Sequence, residues 1–393
     1  MSDRTTGTAN LLATYRAGQT FFATRRGMLL GEGVRATLPA TDGDQAWATL
    51  PARATALVEA AAADGSGAVV AGAIPFERTA APHLFVPEVV RHNGPVDAEV
   101  DRYEPPAATR WQVRHDPPAD GYAAAVAEAV SRFGTTPLEK VVLARTVHLT
   151  TTPAPDPAGI LTALAARDPR GNTFAVPVPG TDPQVPRTFL GASPELLIGR
   201  YGDRVVANPY AGSAPRSADP VEDERLGSEL LRSAKNLHEH AVVVDDIERL
   251  LRPFCRSLSL SPAPELVSTR SMWHLATRIE GVLADPATTA LDVACALHPT
   301  PAVCGTPTEL AYRTIAELEP FDRGYYAGMV GWLDADGDGE WVVAIRSAEV
   351  EGDRLRLFAG AGIVDGSVPA DEMQETSAKF RTVLDAIGVQ ADL

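Results

Sequence analysis

The chain has 393 residues, of which 51 are acidic and 35 basic, giving a formal net charge of −16; 45% are hydrophobic and 22% charged. Such a chain can bury a large core, and its composition excludes disorder throughout. The acidic balance argues against nucleic acid or an anionic membrane as the main partner, and an anionic substrate would need local cations or a metal ion to reverse the long-range field.

Three cysteines, Cys255, Cys295 and Cys304, with no CxxC pair, argue against a disulfide framework or a thiolate zinc site and fit a reducing cytoplasm. The first residues lack the apolar run of a secretion signal, and no stretch approaches ~18 consecutive apolar residues, so a soluble cytoplasmic protein with no membrane partner is expected.

In chain order, residues 21–24 and 67–74 read as strands and 44–63 as an Ala-rich helix. Residues 75–116, rich in proline and polar side chains, read as irregular connection. Apolar spacing predicts a helix over 121–133, and the β-branched run KVVLARTVHLT predicts a strand over 140–150. A short helix is expected over 161–167, then a hairpin from 189–197 and 204–208 around Gly202-Asp203.

One long helix is expected over 220–251. Asp219 can cap it with Pro220 at its first position, and Leu226, Leu230, Ala234, Leu237, Ala241 and Val244 supply a buried face. Strands over 340–350 and 354–358, joined at Glu351-Gly352-Asp353, precede a last helix over 369–387. Hairpins flanked by helices indicate an α+β fold, and residues 1–115 and 116–393 read as an N-terminal part and a main part of one large domain.

Three local patterns mislead. Asp334-Ala-Asp336-Gly-Asp338 resembles a calcium loop, yet the twelfth position, which needs a bidentate acid, is Ile345. Gly360, Gly362 and Gly366 miss the dinucleotide fingerprint by one residue. His238 and His240, two apart on a helix, diverge by roughly 200° and cannot share one metal ion.

The last helix places Glu372, Glu375 and Lys379 on one face. A solvated charged stripe has this spacing, and so does a site for magnesium and an anionic group. Lys235 and Glu239 form an i,i+4 pair, Lys140 opens an apolar strand, and Glu195 adjoins an apolar run; each alone reads equally as ordinary surface chemistry.

Taken together and in order, these segments resemble the chorismate-utilising enzymes, the family of isochorismate, salicylate, anthranilate and aminodeoxychorismate synthases. The resemblance is carried by LEKVVLAR (138–145), GASPELL (191–197), AGSAPR (211–216), KNLHEH (235–240) and WHLAT (273–277), then HPTPAVCGTP (298–307), ELEPFDRGYYAG (317–328), EWVVAIR (340–346), FAGAGIV (358–364) and DEMQETSAK (371–379). It implies two large, mostly antiparallel sheets flanked by helices, and chorismate as substrate.

The resemblance also implies roles. Lys140 matches the position that separates water users from ammonia users, and as lysine it implies a base that activates water. Glu195 matches the general acid that protonates the departing C4 hydroxyl while water adds at C2, which requires a raised pKa. His274 lines the pocket near the reacting centre, where a hydrogen-bonded core histidine is the alternative. Glu239 and Glu375 match ligands of Mg2+, with Glu372 acting through water. Gly212, Ser213 and Lys379 would meet the ring carboxylate. Arg346 would grip the pyruvyl carboxylate, with Tyr326 and Gly360, Ala361 and Gly362 beside it. Thr277 and Ala302 complete the substrate-binding set.

Lysine at 140, and no cysteine in a nucleophile elbow, imply that no amidotransferase subunit is needed; a monomer is expected. Ala302 matches isochorismate synthases rather than salicylate formers, while Tyr326 cuts slightly the other way. Isochorismate synthase of the 2,3-dihydroxybenzoate siderophore type is the reading, with salicylate synthase and a non-catalytic chorismate-binding regulator as the alternatives.

Overall fold

The strand Lys140–Thr152 is buried on both faces over its first eight residues, so it needs cover on both sides. A double-layered architecture supplies it. The computed structural model describes residues 10–41, 45–63, 65, 67–96, 110–169 and 171–391. Among these, one sheet has ten strands. Its path runs from Gly305–Thr306 through Lys140–Thr152, Arg354–Ile363, Ser347–Glu351, Arg187–Ser193, Asn172–Val178, Thr20–Ala23 and Met28–Glu32 to Val89–Asn93, with Arg110–Asp116 also paired to Lys140–Thr152. The second has nine, from Cys255–Leu260 through Ile279–Leu283, Arg204–Asn208, Leu196–Tyr201, Gly339–Val343, Met329–Asp334, Val69–Ile74 and His83–Val86 to Ala36–Thr37. A small third sheet joins Tyr210–Pro215, Met272–Ala276 and Glu265–Ser268.

Phe22, Phe85, Phe174, Phe189, Val330 and Val342 fill the space between the two large sheets, each burial giving ~1.5–3 kcal/mol. Pro157–Arg167 and Pro369–Ala386 pack on the first sheet, and Leu50–Ala62 and Ala290–Leu297 on the second. The α+β class holds. Strands before residue 115 complete both sheets: Phe22 pairs with Phe174, and Ala71 with Trp332.

Several sequence expectations need correction. Residues 75–116 contain the strands His83–Val86, Val89–Asn93 and Arg110–Asp116. The last two are half-exposed sheet edges, where polar residues are tolerated and the hydrophobic signal is weak. The helix expected over 44–63 is interrupted at Thr49 into Gln45–Ala48 and Leu50–Ala62; Asp44 lies outside the described residues.

The long helix is two helices, Pro220–Leu230 and Ala234–Leu251. Asp219 caps the first, as expected, accepting from the backbone N–H of Val221 and Glu222. Ser233 starts a new helix by accepting from Asn236 N–H. That restart rotates the buried face: His240, Val243, Ile247 and Leu251 are buried, whereas Ala234 and Ala241 are exposed.

The two corrections that matter most concern strands. Residues 189–197 are not one strand, because Arg187–Ser193 lies in the first sheet and Leu196–Tyr201 in the second. Residues 340–350 likewise split into Gly339–Val343 of the second sheet and Ser347–Glu351 of the first. Glu195 and Arg346 sit at these two crossings.

Candidate active site

At the first crossing Pro194 interrupts strand pairing, since it has no N–H to give. The Glu195 side chain is turned inward, and the residue is 2% exposed. Burial pushes its carboxyl up to about 8, against opposing pulls from the backbone N–H of Tyr210 and the charges of Lys140, Lys379 and Arg346. At neutral pH it holds its proton.

At the second crossing Arg346 adopts φ 53°, a left-handed conformation that costs a non-glycine residue ~1–2 kcal/mol. Its Nη2 donates to His274 Nε2 at 3.2 Å and its Nη1 to Thr382 Oγ1 at 3.3 Å. A guanidinium only donates, so His274 Nε2 accepts and the ring proton belongs on Nδ1. Burial, and then the charges of Arg346 and Lys379, hold His274 well below its usual pKa and therefore neutral. Its ring stacks on Tyr210, centroids 5.5 Å apart. Burial also draws the Arg346 guanidinium down to about 10, so it stays charged at neutral pH.

Period two along Lys140–Thr152 puts Lys140 and Val142 on one side. Opposite Val142 stands Gly362, and opposite Ala144 stands Gly360, on the neighbouring strand. The glycines are needed: a Cβ at Gly362 would lie 2.3 Å from Glu239 Oε1 and 3.0 Å from Lys140 Cε, and one at Gly360 would lie 2.8 Å from the Tyr326 hydroxyl. Tyr326 in turn stacks on Phe358 at 4.9 Å.

Two helices bring the carboxylates. His240, buried, bonds the carbonyl of Ala211 at 3.0 Å and Thr277 Oγ1 at 2.7 Å, which pins the helix Ala234–Leu251 and aims Glu239 one position earlier. Glu239 Oε1 is 2.9 Å from Lys140 Nζ, an ion-pair contact, and the buried Nζ makes no hydrogen bond among the described residues. On Pro369–Ala386, Lys379 Nζ donates to Glu375 Oε1 at 2.5 Å and to the carbonyl of Gly360 at 2.8 Å. Burial opposes ionisation of Glu375, but Lys379 and a hydrogen bond from Ser213 outweigh it and hold the carboxyl below its ordinary value. Glu372 turns to Lys235, Nζ–Oε1 2.8 Å, and burial and the neighbouring Glu375 raise its pKa.

One cavity collects most of these groups. Glu195, Gly212, Ser213, Glu239, His274, Ala302, Tyr326, Arg346, Gly360, Gly362, Glu375 and Lys379 line it. Four expected residues stand off its wall. Lys140 lies behind Glu239 and Gly362. Glu372 is held by Lys235. Thr277 bonds His240 and so acts on the helix that carries Glu239. Ala361 pairs with Leu143 and belongs to the hydrophobic core. Tyr210, Val142, Val303 and Phe358 were not anticipated as lining residues. Val142, Val303 and Phe358 lie inside the motifs LEKVVLAR, HPTPAVCGTP and FAGAGIV, and Tyr210 stands one residue ahead of AGSAPR, so motif position was the signal for all four.

Among the described residues no three acidic, histidine or cysteine side chains converge as a ready metal cluster. Two carboxylates, Glu239 and Glu375, do face the same cavity from different helices. That donor set fits magnesium, which takes one or two carboxylates and completes its shell with water and substrate oxygens.

The profile of the family described as chorismate binding enzyme matches residues 39–388. The chain therefore belongs to the chorismate-binding enzymes. It is 49% identical over 382 residues to isochorismate synthase DhbC of Bacillus subtilis (97% of this chain, 96% of the relative), and 40% identical over 378 residues to the vibriobactin-specific isochorismate synthase of Vibrio cholerae (94% and 91%). Among solved structures it is similar to DhbC of Bacillus anthracis, with TM-score 0.91 and 41% identity over 97% of this chain and 99% of that one. Anthranilate synthase component I of Streptococcus pneumoniae, at 21% identity and TM-score 0.69 over 94% and 90%, shares the fold.

Proposed function

We propose that this protein is an isochorismate synthase of the siderophore type, converting chorismate reversibly to isochorismate. The kinship with the two curated isochorismate synthases supports the reaction. The observation that carries the chemistry is Glu195: a carboxyl held protonated near neutrality, inside a cavity that also presents the cations Arg346 and Lys379 and the carboxylates Glu239 and Glu375.

The Arg346 guanidinium takes the pyruvyl carboxylate, with Tyr326 beside it. Gly212, Ser213 and Lys379 meet the ring carboxylate. Glu195 gives its proton to the C4 hydroxyl as the C4–O bond breaks and water adds at C2; Lys140 takes the proton that this water loses. Mg2+, held by Glu239 and Glu375, would neutralise the ring carboxylate and fix the ring. Glu372, paired with Lys235, supports this set from behind. His274, neutral, holds Arg346 in place.

Ala302 on the cavity wall supports release of isochorismate over its breakdown to salicylate and pyruvate. No amidotransferase subunit is required when water is the nucleophile, and a monomer suffices because one chain supplies every group named. Three free cysteines support a cytoplasmic setting, and no helix among the described residues is long and apolar enough to cross a membrane. Turnover of chorismate by the E195Q variant at the wild-type rate would remove Glu195 from the reaction.

A further inference from the structure

A second cavity, of about 540 Å3, opens beside the reaction cavity, and the two share one side chain, Arg346. The same elements wall both. Tyr210–Pro215 gives Gly212 and Ser213 to the first and Pro215 to the second; Pro369–Ala386 gives Glu375 and Lys379 to the first and Arg381 and Thr382 to the second. Arg346 spans the divide, with Nη2 on His274 in the reaction cavity and Nη1 on Thr382 in its neighbour.

The second cavity is cationic. Arg167, Arg216, Arg270 and Arg381 line it with Arg346, against Asp168 and Asp385. Asp385 is shared, 3.0 Å from Arg167 and 3.9 Å from Arg381, and Asp223 grips Arg216 at 2.6 Å from outside the lining. Five arginines against these three aspartates leave two positive charges in a chain whose net charge is −16. Arg270, exposed, forms no ion pair with another described residue, and its charge bears on Arg167 as a like charge. Like charges gathered on a concave wall without matching acids favour an anion between them. Chorismate, the proposed substrate, carries two carboxylates, and the acidic exterior repels such a dianion.

We propose that the arginine-lined cavity is an antechamber for small dicarboxylate anions, through which the substrate passes on its way to Arg346, with Arg270 as the outer capturing charge. This rests on the reading that chorismate is the substrate. The antechamber lowers KM without touching the reacting atoms.

Steady-state kinetics with chorismate and magnesium, across sodium chloride concentrations, test this in the wild type, R270E, R270K and R53E. Arg53 lines neither cavity and controls for net charge. At low salt R270E is expected to raise KM roughly three- to tenfold, with kcat within about twofold, and the difference should close as salt rises. R270K and R53E should stay near wild type. Malonate, an unreactive dicarboxylate, should compete with chorismate, and more weakly in R270E. An unchanged KM in R270E at low salt overturns the proposal. So does malonate inhibition that is non-competitive yet abolished by R270E, which would assign the cavity to a separate effector anion. If the wild type leaves chorismate unchanged, the functional reading fails, and calorimetric binding of malonate to wild type against R270E still tests the cavity: equal affinity overturns it.

Discussion

Glu195 and Arg346 occupy twin crossings between the same two sheets: the strands before Glu195 and after Arg346 pair through Gly191 and Ser347, and those after Glu195 and before Arg346 pair through Leu196 and Val342. The acid and the anion-binding guanidinium are thus carried on adjacent backbone segments where the sheets part. Their separation is set by two strand registers at once, which is a rigid way to place a proton donor against a carboxylate grip.

The protonated state of Glu195 has consequences for activity and for stability. Activity should fall as pH rises through about 8, where the acid loses its proton. The native chain keeps a proton that the unfolded chain releases near 4.5; the stability this confers is complete below about 4.5 and is lost as pH rises through about 8. The E195Q variant should lose ~10²–10⁴ of kcat, and its melting temperature should decline less than that of wild type across this window. Calorimetry over pH, alongside initial rates, checks both.

Lys140 and Glu239 should be energetically coupled. K140M keeps the apolar stem and leaves Glu239 without its buried cation, so a stability loss on the order of 3 kcal/mol is expected along with loss of turnover. The double variant K140M/E239Q should recover most of the stability and none of the activity. Chemical denaturation of the four proteins measures it; additive losses would show that the pair is not coupled.

Gly362 is expected to tolerate alanine in folding but not in catalysis. The added methyl meets the flexible ends of Glu239 and Lys140, which can shift, and those are the groups the reaction uses. G362A should fold with a melting temperature near wild type and lose at least ~10-fold in kcat, since small displacements of catalytic groups are costly.

The three glutamates should differ in their demand for metal. E239Q and E375Q should weaken magnesium binding strongly, while E372Q should weaken it less, because Glu372 is engaged by Lys235 and lies off the cavity wall. Isothermal titration of magnesium into each variant ranks them; equal losses for all three would place Glu372 in direct contact with the ion.

Much of the site was legible because short motifs carried it. The spacing of Glu372, Glu375 and Lys379 on one helix follows from helical geometry, and the glycines at 360 and 362 sit where side chains from a helix and a strand converge. The crossings were not legible. Residues 189–197 and 340–350 each carry apolar residues on both sides of a short polar break, and nothing in such a segment says that its two halves belong to different sheets. Pro194 was the one local sign at the first, and Arg346, a residue that rarely takes positive φ, gave none at the second. The break after Leu230 hid for a similar reason. The apolar steps continue through it, and only the small polar cap Ser233 marks the restart that turns Glu239 toward the cavity.

The most direct test is to incubate the purified protein with chorismate and magnesium, with and without EDTA, and to resolve the products by chromatography and mass. A magnesium-dependent equilibrium mixture of chorismate and an isomer of identical mass, without pyruvate, is expected. Salicylate with stoichiometric pyruvate would contradict release of isochorismate, and unchanged chorismate in every condition would contradict catalysis altogether.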